Sequence, residues 1–426
     1  MRLVRACSES LADTSFTKGP FIDTPAPISR TTRTGLSGNA APLMVLMLLF
    51  GVHFIVDFFG AMVNPLWRAM EEHLSLPLGG ALWIYVAWSV ATSFSQLAFG
   101  LWADRGRAHW LLWFGPAVVV VCLSSLGFAH SVASLTALVV CGGLGLAAFH
   151  PEAAARAGAL LPSHRSRVMA IFSLGGYLGQ AAGPYCAGAQ TERSGLTGLA
   201  WNVTWGGTLL LLLMVAWYVS PARRVAPSAH GTRTRRSRKS QLRRMAWLLM
   251  IGSLRVSPAM GVLLGLAYVL ESQGLPDSAI GAVQSAFMAG MGAGGFCAVV
   301  IAQRWERTAL CWMPIAAAPF MACIGHANEG WWLIGVVGMA GLLHGVGLPV
   351  FVSYGQQLMP TGERIANSIT MGVSWGVASG LAAAAIAGFQ RAGAQTSVFF
   401  FFAAISAFCG VACFGLPRVA DEKDLA

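Results

Sequence analysis

Between residues 42 and 416 the chain is a succession of twelve long apolar blocks separated by short polar interruptions: 42–68, 80–103, 109–129, 131–156, 166–190, 200–221, 245–272, 277–302, 308–326, 330–358, 364–390 and 396–416. About 20 consecutive apolar residues in a helix cross a hydrocarbon core. Within lipid, backbone N–H and C=O groups must be satisfied without water, which leaves only helices and closed barrels. A barrel would show segments of about 10 residues with alternating polarity. These blocks are longer and apolar throughout, so the sequence predicts helices. A soluble domain is excluded, because only 11% of residues are charged where about 25% would be usual. The 50 glycines and 15 tryptophans suit close helix contacts and the headgroup level respectively.

The formal net charge of +11 would suit a nucleic-acid partner only if the basic residues shared one face. They are dispersed among the interruptions instead. With both termini cytoplasmic, 24 of the 28 Lys and Arg fall on the cytoplasmic side, Arg68, Arg193 and Arg391 fall outside, and Arg255 stands within the seventh block. That is the positive-inside bias of a multi-pass membrane protein, so the expected partner is the bilayer and not nucleic acid. The predicted organisation is a disordered cytoplasmic extension at 1–41 without the apolar core of a secretory signal, a six-helix bundle at 42–221, a basic cytoplasmic linker at 222–244, a second six-helix bundle at 245–416 and a cytoplasmic tail at 417–426. The nine cysteines contain no CxxC and lie mostly in apolar blocks, which reads as packing, with neither a disulfide framework nor a zinc site.

The two halves repeat one another. Pro151 and Pro162 in the fourth block and its exit recur with the same spacing as Pro349 and Pro360, 198 positions later; Gly175, Gly179 and Gly183 recur as Gly372, Gly376 and Gly380, 197 positions later. A parallel duplication predicts twelve transmembrane helices in two pseudo-symmetric six-helix bundles, with a substrate site between them near the midplane.

Two motifs carry further chemistry. Between the second and third blocks the chain reads GLWADRGR, from Gly100 through Asp104, Arg105 and Gly106 to Arg107. An Asp at a helix end can meet the positive N-terminus of a neighbouring helix or an Arg and hold two elements in one state; a turn carrying positive-inside charge is the other reading. In the fifth block, GQAAGPYCAG places Gly179, Gly183, Pro184 and Gly188 where they permit close helix packing and a bend.

On these residues the sequence resembles the major facilitator superfamily over about residues 40–416. GLWADRGR is similar to that superfamily's cytoplasmic loop motif, one residue shorter, and the resemblance implies a gate formed by Gly100, Asp104, Arg105 and Arg107. GQAAGPYCAG is similar to the GxxxGPxxGG motif of its proton-coupled drug antiporters, with Ala187 in place of a glycine. The stretch from Gly143 to Pro184 with its FHPE, the segment GLPVFVSYGQQLMP at 347–360, and HFIVD in the first block resemble the fosmidomycin resistance branch. The resemblance implies a secondary transporter of the bacterial inner membrane, acting as a monomer, that exports a small toxic compound or drug in exchange for protons. A proton-coupled importer or symporter of a small, possibly anionic metabolite on the same fold is the alternative.

Ionisable side chains inside a span are costly and are functional candidates by default. His53 and Asp57 stand at i and i+4 on one helical face, where imidazole and carboxylate can share a proton. In the fourth block stand His150, Pro151, Glu152 and Arg156. Glu152 is either a second proton-coupling acid or the partner of Arg156 one turn away, and His150 either joins the proton path or packs against a carbonyl. In the second half, Arg255 either binds an anionic substrate through its guanidinium fork or reaches back to the membrane surface. His344, Tyr177 and Trp375 complete the candidate substrate residues. His53, Asp57, His150 and Glu152 include metal-ligand types, but their spacing defines no metal site. No GxxxxGK(S/T) or HExxH occurs, so an enzyme or a cofactor is not expected.

Overall fold

The computed structural model describes residues 40–77, 79–103, 109–160, 165–219, 238–298, 305–326, 330–359 and 363–416. The N-terminal extension, most of the linker, the loop residues Asp104, Arg105 and Arg107, Pro162, Pro360 and the C-terminal tail lie outside the described residues. The described residues are all-helical and make twelve spans. The first consists of α1 (Ala40–Met62), a 3-10 turn (Asn64–Leu66) and α2 (Trp67–His73); the second of α3 (Leu82–Ser93) and α4 (Ser95–Ala103). Then come α5 (Leu111–Ser124), α6 (Val132–Leu160), α7 (Arg165–Ser194) and α8 (Asn202–Val219). The second half comprises α9 (Arg238–Ser272), α10 (Asp277–Cys297), α11 (Glu306–Ile324) and α12 (Trp331–Leu358), an eleventh span of α13 (Glu363–Asn367), a π-helical turn (Ser368–Val373) and α14 (Ser374–Arg391), and finally α15 (Val398–Cys413).

Among the described residues, nine spans are long and apolar enough to cross a membrane by length and composition. Of the others, α5 is short, and α7 and α10 are long but rich in Gly, Ala and Gln. Their polarity has a packing cause. α7 and α10 lie against each other, and also against α1 and α12 respectively, so small residues that bring backbones together serve them better than lipid-facing Leu or Phe.

Two boundaries differ from the sequence reading. Pro65 tightens the chain into a 3-10 turn without ending the first span, which continues to His73; Arg68 therefore stands in the span and not in an outer loop. α9 begins at Arg238, so the end of the basic linker is already helical. Both follow from counting apolar residues alone, since Arg, Lys and Gln are good helix formers.

The repeated glycines pack differently in the two halves. A β-carbon at Gly175, Gly179 or Gly183 would collide with the carbonyl oxygens of Phe50, Phe54 and Phe58, one turn apart on α1. Their counterparts Gly372 and Gly376 face Ser93 and Phe94 on the second span, and Gly380 faces open space. The first ladder binds two helices within one half, whereas the second lies against the other half.

One apolar core runs through both halves, which meet laterally along α7–α10 and α3–α14. At one end they also join through α2 and α9: Arg68 Nε donates to Glu271 at 2.7 Å, and wholly buried Glu71 accepts from Tyr268 Oη and the Ala81 N–H, both at 2.9 Å. The Arg68 network thus ties the halves at one end, and α4 against the π turn brings them together at the other.

Candidate functional site

Asp57 is the centre of a buried polar cluster drawn from three helices. α1 carries it one turn after His53, whose Nε2 lies 3.4 Å from Asp57 Oδ2. α6 supplies His150, with Nε2 3.2 Å from Asp57 Oδ1. α7 supplies Gln180, whose Nε2 donates to Oδ2 at 2.6 Å. The side chains of His53 and Asp57 are 6% and 5% exposed, and that of His150 is 15% exposed. The glycine ladder positions this site, because the close approach of α7 to α1 puts Gln180 within reach of Asp57. His53 is further held by stacking on Phe172, with ring centroids 4.2 Å apart.

The protonation logic of the cluster follows from its outer bonds. His53 Nδ1 donates to the Phe172 carbonyl and His150 Nδ1 to that of Leu146, each at 2.8 Å. A carbonyl only accepts, so both Nδ1 atoms carry hydrogen and both Nε2 atoms face the carboxylate. A neutral imidazole would point a lone pair at an anionic oxygen there. The contacts are attractive when Nε2 is protonated or when a cation lies between, so one carboxylate and two imidazoles make a receptor for positive charge.

Glu152 is not part of this cluster. It accepts from Arg156 Nε at 2.7 Å, and the guanidinium carbon lies 5.7 Å from the centre of the Trp217 ring. Gly100 is buried, and a β-carbon there would sit 3.5 Å from Ser368 Oγ on the π turn. Gly179 and Gly183 contact α1, while Pro184 and Gly188 lie against Gly281 and Asp277 of α10.

In the second half Arg255 is wholly buried, seventeen residues into α9. It cannot reach back to the membrane surface, which removes that reading. Its Nη2 donates to the His344 carbonyl at 2.9 Å, and His344 Nε2 approaches the Arg255 carbonyl at 2.5 Å. This reciprocal pair ties α9 to α12. Arg255 Nε and Nη1 and His344 Nδ1 have no hydrogen-bond partner among the described residues. Tyr177 packs against Gly292 and Gly295 of α10. Trp375 is half-buried on α14 against the shared core.

Sequence reasoning did not single out Gln180 or the Arg68–Glu71–Tyr268–Glu271 network. Gln180 had a usable signal, as an amide in the midst of a glycine ladder. The network had none, because its members are some 200 positions apart.

The sequence profile of the Major Facilitator Superfamily matches residues 49–363. The fosmidomycin resistance protein of Escherichia coli (strain K12) is 23% identical over 365 residues, covering 82% of this chain and 89% of that one. Among solved structures, the human organic anion transporter MFSD10 (TETRAN) superposes with a TM-score of 0.65 at 16% identity, covering 87% of this chain and 99% of that one. The nucleoside transporter NupG gives 0.64 at 13% identity, covering 89% and 100%.

Proposed function

Since the chain belongs to the Major Facilitator Superfamily, a family of membrane transporters for small molecules, we propose that it exports a small toxic compound or drug by alternating access in exchange for protons. The observation that carries the coupling is the buried cluster of Asp57, His53 and His150, whose outer hydrogen bonds leave both Nε2 atoms facing one carboxylate. Such a group takes up protons when open to one side and releases them when open to the other. The likeness to a fosmidomycin resistance protein supports export over import.

In this reading the protein lies in a bacterial inner membrane with both termini cytoplasmic, as the distribution of basic residues supports. The end tied by Arg68 and Glu271 then faces outward. Arg255 and His344, sealed between α9 and α12, become substrate contacts when the halves move, with Tyr177 and Trp375 lining the path between them. The buried guanidinium without a carboxylate partner supports an anionic substrate group. Gly100, next to the π turn, belongs to the gate with Asp104, Arg105 and Arg107. Glu152, paired with Arg156, is assigned a structural part.

The test is a drug-susceptibility panel in an efflux-deficient bacterium, phosphonate antibiotics included, comparing the wild type with Asp57→Asn. Raised tolerance to at least one compound that disappears in the variant is expected. Unchanged tolerance to every compound in a well-expressed wild type would remove the export reading.

A further inference from the structure

His53, Asp57 and His150 are arranged around a common point as much as against one another. We infer that the three form a binding site for a single divalent transition-metal ion of the zinc, cobalt and nickel class.

The ligand atoms are already prepared. Both imidazoles give Nδ1–H to a backbone carbonyl at 2.8 Å, the outer bond that fixes the tautomer and orients Nε2 as a metal ligand. One ligand atom from each of the three residues lies within 4.8 Å of the others. Around a tetrahedral ion with bonds of about 2.0–2.1 Å, ligand atoms stand about 3.3–3.4 Å apart. His150 Nε2 lies 3.2 Å from Asp57 Oδ1 and His53 Nε2 lies 3.4 Å from Asp57 Oδ2, so each imidazole stands at that spacing from the carboxylate, on a different oxygen. Bringing both imidazoles onto one ion takes a turn of the carboxylate or of His150, the most exposed of the three.

Two independent features lie beside these atoms. Position 176 is a glycine whose β-carbon would sit 2.5 Å from Asp57 Oδ2 and 2.6 Å from His53 Nε2, so the missing side chain lets α7 lie directly against these ligand atoms. Gln180 Oε1 is buried without a partner.

Two imidazole nitrogens with a carboxylate oxygen suit zinc, cobalt or nickel, whereas magnesium and calcium favour all-oxygen shells. The site stands on this geometry alone and not on the export reading.

Cobalt(II) is the probe, because its visible d–d absorption reports coordination by nitrogen and oxygen. Titration into the purified full-length protein in detergent is expected to give saturable absorption at one equivalent, displaced by zinc(II). His150→Gln should weaken cobalt binding by at least about tenfold, while Glu152→Gln, whose carboxylate lies outside the cluster, should leave it unchanged. If His150→Gln fails to fold, Gly176→Ala carries the same test, since it keeps every ligand and its methyl group displaces the Asp57 and His53 ligand atoms. No saturable spectrum in the wild type, or the same spectrum in a folded His150→Gln or Gly176→Ala protein, overturns the site. Cobalt binding without drug tolerance would sink the export reading and leave the metal site standing; drug tolerance without cobalt binding would do the reverse.

Discussion

His150 reaches Asp57 from a different helix, Nε2 to Oδ1 at 3.2 Å, while His53 approaches the other carboxylate oxygen from one turn away on the same helix. Asn at position 57 would keep the shape and accept from Gln180 while removing the charge. Asp57→Asn is therefore expected to fold and express as the wild type does, yet to lower proton-driven flux in proteoliposomes by about a hundredfold or more, the low end for loss of a positioned proton-transfer group. Wild-type flux under an imposed pH gradient would take Asp57 out of the coupling mechanism.

Glu71 binds the two halves together from a fully buried position. Removing its carboxylate leaves the Tyr268 hydroxyl and the Ala81 N–H without their acceptor and Arg68 with one partner fewer. Breaking a buried charged pair costs about 3–5 kcal/mol, and the low end applies because Arg68 is a quarter exposed. Thermal unfolding in detergent should show Glu71→Ala destabilised on this order. Glu72→Ala is the control: the Glu72 side chain is 62% exposed, and its loss should change stability by no more than about 0.5 kcal/mol. Equal effects of the two variants would refute the assignment.

What the sequence disclosed depended on how local the signal was. The spans were legible because apolar length is a property of one segment, and His53–Asp57 was legible because i and i+4 share a helical face. The meeting of Asp57 with His150 and Gln180 was not, since the contacts span 93 and 123 positions and depend on how closely α7 lies against α1. The duplicated glycines showed that both ladders pack closely but not against what: the first meets the Phe50, Phe54 and Phe58 carbonyls, the second the opposite half. Glu152 looked equivalent to Asp57 by residue type, and its environment differs because Arg156 lies one turn away.

The two kinds of glycine contact can be told apart by substitution. Gly179→Val would push a branched side chain into the Phe54 carbonyl and the Phe58 N–H, so overpacking should cost at least about 1–3 kcal/mol and displace Gln180 from Asp57. Gly207 has nothing within 4 Å of its β-carbon position, and Ala is favoured over Gly in a helix by about 1 kcal/mol. Gly207→Ala should accordingly be neutral or slightly stabilising. Melting temperatures of the purified variants check both signs, and a tolerated valine at 179 would mean that α1 and α7 are not in contact there.

Arg255 separates stability from function most sharply. It is wholly buried, two of its nitrogens have no hydrogen-bond partner among the described residues, and its Nη2 bonds only to the His344 carbonyl. A charge held in this way is costly to folding, and replacing buried ionic groups by apolar residues is often neutral or stabilising by about 1–4 kcal/mol. Arg255→Met is therefore expected to melt at the wild-type temperature or above it. If the guanidinium is retained for an anionic substrate, the same variant should lose at least about tenfold in transport of anionic compounds and keep transport of uncharged ones. A marked fall in melting temperature, with both classes of compound affected alike, would instead make Arg255 a structural tie between α9 and α12.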